Sequence, residues 1–177
     1  MAVNAEGVRI RLWRPGDEVA LQELADNRRI WRNLTNRFPH PYRHEDAVEW
    51  IRSANQQPED ARHFAILSVD RIVGGVGFER LKDLCARTAE IGYWVGEPYW
   101  SRGIATRALA LATENAFRDF DFVRLQAGVL EWNGASCRVL EKAGYSQEAR
   151  LRKQGFKDGE ICDMVVYALL REGGRAA

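Results

Sequence analysis

No C-x-x-C pair, no histidine cluster and no apolar run of about eighteen residues occurs in this chain. Its three cysteines, Cys85, Cys137 and Cys162, are odd in number, and His40, His44 and His63 lie at no metal-ligand spacing. No metal is expected. The opening MAVNAEGVRI has no extended apolar core of the kind a secretory leader needs. With no spanning run either, no membrane partner is expected, and the expected compartment is a reducing cytoplasm. Charge of one sign is also missing, since 26 basic residues face 25 acidic ones. A near-neutral chain has no overall field to draw it to nucleic acid, so no nucleic-acid partner is expected. Repeats, low-complexity segments and linker-like stretches are absent. A 177-residue chain that is 46% hydrophobic reads as one domain, residues 1–177.

What is present alternates between two periods. Val8 to Trp13 alternates as a half-buried strand, broken by Arg14-Pro15-Gly16, after which Asp17 is placed to cap a helix running towards Arg29. Trp31 and Leu34 belong to a second short helical turn or to its continuation. Phe38 to Tyr42, with two prolines, forbids regular helix, which resumes near Glu45 with Ala47, Ile51 and Ala54 on one stripe. His63 to Val69 and Ile72 to Glu79 read as a hairpin turning at Asp70-Arg71. Gly74-Gly75-Val76-Gly77 inside it marks a bulge or close backbone packing. Further strands are predicted at Ala89 to Val95, Phe122 to Val129, Glu148 to Gln154 and Glu160 to Leu170, with a helix at Ala135 to Ala143. The last eight or so residues read as frayed. Mixed strands and helices with early hairpins and a central strand-helix-strand crossover predict an α+β, or mixed α/β, sheet.

Between Val95 and the helix reaching about Arg118 lies the most telling segment, Tyr93 to Leu109. Here a strand passes through Ser101-Arg102-Gly103-Ile104-Ala105-Thr106 into a helix start, which presents unpaired N–H groups and the positive end of the helix dipole to one point. A diphosphate suits that place. Gly103 and Ala105 let the backbone approach it closely. Neither a Walker loop nor G-x-G-x-x-G is present.

Gly103-x-Ala105 resembles the end of the R/Q-x-x-G-x-G/A pyrophosphate loop of the GCN5-related N-acetyltransferase (GNAT) superfamily, with Trp100 at its first position. The run from Asn133 through Ala135-Ser136 to Ala143-Gly144-Tyr145 resembles the cofactor-side helix of its branch similar to RimJ/RimL ribosomal-protein N-terminal acetyltransferases. Ile10 to Pro15, Asn36 to Tyr42 and Gly159-x-x-x-Asp163-x-x-x-Tyr167 extend the likeness over almost the whole chain.

The resemblance implies a central, mostly antiparallel twisted sheet whose middle strands splay to admit the pantetheine arm of acetyl-CoA, the expected co-substrate. It assigns Ile91 to Val95, with Tyr93 and Val95, to pantetheine contacts. Ser101, Arg102, Gly103, Ile104, Ala105 and Thr106 fall to the pyrophosphate, and Asn133 to the pantetheine amides, where a helix cap is the rival role.

Acetyl transfer needs a neutral amine, a stabilised oxyanion and a proton for the departing thiolate. Glu90 is the candidate base, weighed against a solvated strand-end charge. Ser136 is the candidate proton donor, weighed against helix capping. Cys137 and Tyr145 read as packing, Asp163 as an amine contact or an anchor. Trp31, Phe38, Tyr42 and Trp94 are candidates to line the acceptor pocket. The expected acceptor is a primary amine, with a protein N-terminal α-amine favoured. The alternatives are a small-molecule amine (polyamine, amino acid or aminoglycoside) and a noncatalytic acyl-CoA sensor. A homodimer is left open.

Overall fold

The computed structural model describes residues 7–54, 56 and 59–171. Residues 1–6 of the opening segment, and nearly all of the tail expected to fray, lie outside them. In chain order the elements are β1 (Val8–Leu12), α1 (Glu18–Ala25), α2 (Arg28–Trp31), α3 (His44–Ala54), β2 (Ala61–Ser68), β3 (Arg71–Arg80), β4 (Thr88–Val95), α4 (Ile104–Asp119), β5 (Arg124–Leu130), α5 (Gly134–Lys142), β6 (Ser146–Lys157) and β7 (Glu160–Leu170). The strands form one sheet in the order β1-β2-β3-β4-β5-β7-β6. Every neighbouring pair is antiparallel except β4 and β5, which run parallel. Among the described residues no helix is long and apolar enough to cross a membrane.

Period-two alternation along the strands divides the interior between two faces. Val76, Phe78, Ile91 and Leu125 point to one face, where they meet Ile104, Ala108, Leu109, Ala112 and Ala116 of α4. That spacing is the apolar stripe of an amphipathic helix. Trp13, Leu21, Tyr42, Ala47, Ile51 and Ala65 pack on the opposite face beneath α1 and α3. Leu109, wholly buried, contributes about 2–5 kcal/mol by the usual Leu→Ala cost.

Three local expectations are corrected. Asp17 stands at the N-cap of α1 but caps nothing with its side chain. Its carboxylate instead accepts from Arg11 at 2.6 and 2.9 Å and from the Arg14 N–H at 3.1 Å. Burial works against its charge, yet these partners together hold its pKa below the ordinary carboxylate value. Helix does not run unbroken to Arg29. It stops at Ala25, and Asn27 starts α2 by accepting from the Arg29 and Ile30 N–H groups. The β2–β3 turn is formed by Val69 and Asp70, both at positive φ (50° and 62°), one residue earlier than Asp70-Arg71.

The glycine run packs closely as expected, while the bulge falls just before it. Ile66 pairs with Gly74 and Leu67 with Ile72, leaving Val73 as the extra residue of a bulge. A Cβ on Gly75 would lie 2.8 Å from Trp94 Nε1, and one on Gly77 would lie 2.5 Å from His63 Nδ1. Bare backbone here lets an indole and an imidazole lie flat on the sheet.

Candidate active site

The parallel β4–β5 pairing lasts only three residues: Thr88 with Arg124, Ala89 with Leu125 and Glu90 with Gln126. Beyond it the strands part, because β4 stays on β3 as far as Val95 while β5 stays on β7 as far as Leu130. The Gly96 N–H donates to the Val73 carbonyl at 2.8 Å, which makes Gly74–Val95 a non-hydrogen-bonded pair. By alternation, the N–H and C=O groups of Ile91, Tyr93 and Val95 turn away from β3 into the gap. An extended chain entering there finds the edge of a strand. Val95 is partly engaged already, since its carbonyl accepts from Trp100 Nε1 at 2.6 Å. Trp100 therefore anchors the loop to the strand.

The loop leads into α4 through two positive φ values, 61° at Ser101 and 73° at Gly103, the latter at the N-cap. Gly103 meets the left-handed requirement without a side chain. The first intrahelical bond in this turn is from the Arg107 N–H to the Gly103 carbonyl at 3.1 Å. The N–H groups of Ile104, Ala105 and Thr106 thus lack helical partners by position and converge at the dipole's positive end. Ile104 turns its side chain into the core at 1% exposure, so only its backbone faces a ligand. Arg102 donates to the Pro98 carbonyl at 2.9 Å and leans over the Tyr99 ring.

On the α4 side of the sheet, Asn133 and Ser136 take distinct roles. Asn133 caps α5 by accepting the Ser136 N–H at 3.2 Å. Ser136 is not the cap. Its Oγ lies 2.8 Å from the Tyr93 hydroxyl, which also donates to the Ser136 carbonyl at 3.1 Å. Burial pushes the Tyr93 phenol well above its ordinary pKa of 10.0, although the Ser136 bond pulls the other way, so the phenol stays neutral. Strand periodicity places Tyr93 by the gap but gives no sign of this contact.

Glu90 stands on the opposite face, where β4 and β5 part, beside Glu79 in register. Glu79 in turn lies 3.5 Å from His63 Nε2 and 3.4 Å from Arg37. His63, which the sequence places at a strand start and at no metal-ligand spacing, lines the same cleft as Glu90 in the fold. Burial lowers its pKa and Arg37 adds to this, against the opposing pull of Glu79.

Phe38, Tyr42 and Trp94 line the cleft and interlock, with Phe38 4.9 Å from Tyr42 and 6.0 Å from Trp94 between centroids. Trp31 does not line it; its ring packs against His40 and beneath Lys157. Asp163 is an anchor, accepting from Arg150 at 2.7 Å and from the Lys153 N–H at 2.8 Å. Tyr145 is core, its hydroxyl 2.8 Å from Thr113 Oγ1. Cys137 is half-buried against the α4-side core. Gap, loop and aromatic wall belong to one cleft of about 1250 Å³. Among the described residues no cluster of His, Cys, Asp and Glu could hold a metal ion.

Residues 8–146 match the family model described as an acetyltransferase (GNAT) domain. The chain belongs to the GNAT acetyltransferase family. It is 34% identical over 116 residues to the probable N-acetyltransferase YjcK of Bacillus subtilis (strain 168), a match spanning 64% of each chain. To the ribosomal-protein-serine acetyltransferase of Escherichia coli (strain K12) it is 29% identical over 108 residues, 61% of this chain and 60% of the other. Among solved structures, Mycobacterium smegmatis RimJ in complex with CoA-disulfide superposes with a TM-score of 0.86 at 25% identity, covering 96% of this chain and 85% of that one. The GNAT chain's splayed strands and αL helix start fit the acetyl-CoA cofactor of the family.

Proposed function

We propose that the protein transfers an acetyl group from acetyl-CoA to a primary amine, and that its acceptor is the α-amine of a protein N-terminus. The observation that carries this is the gap between β4 and β5, with Glu90 on one face and the Tyr93–Ser136 pair on the other. The likeness to the ribosomal-protein-serine acetyltransferase of Escherichia coli supports a protein as the acceptor.

Acetyl-CoA, when bound, supplies the acetyl group as an activated thioester. Backbone groups of β4 and the N–H groups opening α4 hold and orient it, and the aromatic wall excludes water from the acceptor side. Glu90 takes the proton from the incoming ammonium, directly or through one water, so that a neutral amine attacks. Ser136 Oγ, held by Tyr93, offers its proton to the departing thiolate and recovers one from solvent.

The test is acceptor-dependent release of thiol from acetyl-CoA across peptides, polyamines, amino acids and aminoglycosides, together with calorimetric binding of CoA. Turnover with peptide α-amines, and an acetyl group found on the terminal nitrogen by mass spectrometry, is the expected result. Turnover confined to small amines would replace the acceptor. Tight CoA binding without turnover would make the protein an acyl-CoA sensor.

A further inference from the structure

Lys157 ends β6 and is only 3% exposed, which is unusual for a residue whose charge must be solvated or paired. Its Nζ has no hydrogen-bond partner and lies 3.9 Å from the centroid of Trp31. The arginines around it are matched. Arg28 pairs with Asp158 at 2.6 Å, Arg32 with Glu160 at 3.3 Å, and Arg29 with Glu97. Even Asp158, the next residue along the chain, directs its carboxylate to Arg28.

An ammonium over an indole face gains a cation–π contact, which supplies no hydrogen-bond acceptor for its three donors. Lys157 also lines the acceptor cleft, as do Gly155 and Phe156 before it on β6. Glu90 lines that cleft as well. The cleft therefore carries a carboxylate suited to an amine and, on another wall, a buried cation suited to an anion. The four-carbon stem lets the ammonium turn from the ring towards such a group.

We propose that Lys157 forms a carboxylate-binding subsite, so that the preferred acceptor carries an acidic group as well as its primary amine. Resting on the N-terminal acetylation reading, this means a peptide with Asp or Glu among its first residues. The same cation disfavours polyamines, which would bring like charge to it.

The experiment measures calorimetric binding to the CoA-loaded protein of short peptides in which Glu replaces Gln at the first, second and third positions in turn. Glutamate and glutamine form a small-amine pair. Thiol release is followed separately. At one position at least, Glu should bind about 10- to 100-fold more tightly than Gln, the range for a charge-assisted bond in a desolvated site. Lys157→Met keeps the stem over Trp31 and should bring that ratio near one, while Lys157→Arg should retain much of it. A ratio near one at every position and in the small-amine pair, or one that survives Lys157→Met in protein still binding CoA, overturns the subsite. Preference only for glutamate over glutamine keeps the subsite and removes the peptide reading. Absence of thiol release with every acceptor removes the acetyltransferase reading, while the binding ratio still decides Lys157.

Discussion

The hydroxyl of Tyr93 lies 2.8 Å from Ser136 Oγ, joining β4 to the first turn of α5. Either oxygen can be the donor, so the pair has two proton arrangements. When Tyr93 donates to Oγ, the serine proton is directed elsewhere and is available to a thiolate. When Tyr93 donates to the Ser136 carbonyl, the serine proton rests on the phenol. Tyr93 is thus a positioning residue for Ser136. Tyr93→Phe is expected to lower kcat roughly 2- to 10-fold, the loss of one neutral hydrogen bond, with CoA affinity unchanged. Ser136→Ala is expected to lower kcat by about 10²-fold. The double variant should be no slower than Ser136→Ala alone, and steady-state kinetics on all three proteins checks this. Additive losses would mean that the two residues act separately.

Gly103 couples folding to cofactor binding through a single torsion. At φ 73° a β-branched residue is costly, by about 1–2 kcal/mol, and its side chain would also stand at the helix start proposed to receive the phosphate. Gly103→Val should weaken CoA binding by more than about 10-fold while lowering Tm by only a few degrees. Gly103→Asn, which tolerates the left-handed region better, should restore most of the Tm but less of the affinity. Calorimetry with CoA and thermal melts of both variants separate backbone strain from obstruction.

The parts of the fold carried by one element were legible, and the parts set between distant elements were not. Glu160 to Leu170 reads as a strand because Ile161, Val165, Val166 and Tyr167 give it β-branched and aromatic character, and the structure gives those bounds. The helix reaching about Arg118 and the β2–β3 hairpin were equally readable. The turn between those strands was misplaced by one residue, because nothing in turn chemistry marks a β-branched Val69 for positive φ. The second helical turn at Trp31 was readable, but the break before it was placed too late although Asn27 is a good N-cap, since the apolar spacing continues past it. Tyr93 and Ser136 lie 43 residues apart, and only the fold brings their hydroxyls together. Lys157 sits two residues before Gly159, where the chain turns between β6 and β7, and no local signal marks it for burial.

His63 makes stability pH-dependent in a definite direction. Burial lowers its folded-state pKa below the ordinary 6.5, Arg37 adds to this, and Glu79 only partly compensates. The unfolded chain therefore binds the proton first as pH falls. Stability is full above about pH 6.5 and declines as pH drops from there through the lowered folded value. Thermal melts of the protein should show this decline. His63→Gln should flatten that part of the profile, leaving the acid loss from carboxylates such as Asp17, whose pKa is lowered, to appear further down.

Glu90 is the remaining test of the chemistry, because His63 lines the same cleft and offers a rival base. Glu90→Gln keeps size and hydrogen bonding but removes basicity, so turnover should fall about 10²-fold with CoA affinity unchanged. A peptide α-amine has a pKa near ~8, so above that pH the substrate arrives neutral and the deficit should shrink. His63→Gln should leave a smaller defect. If His63 were the base instead, its variant would carry the larger loss, and the wild-type rate would fall on the acid side of pH 6.5 as the imidazole takes up a proton. Profiles of kcat and kcat/KM for both variants, taken with one peptide acceptor within the pH range where each remains folded, assign the proton to one side chain or the other.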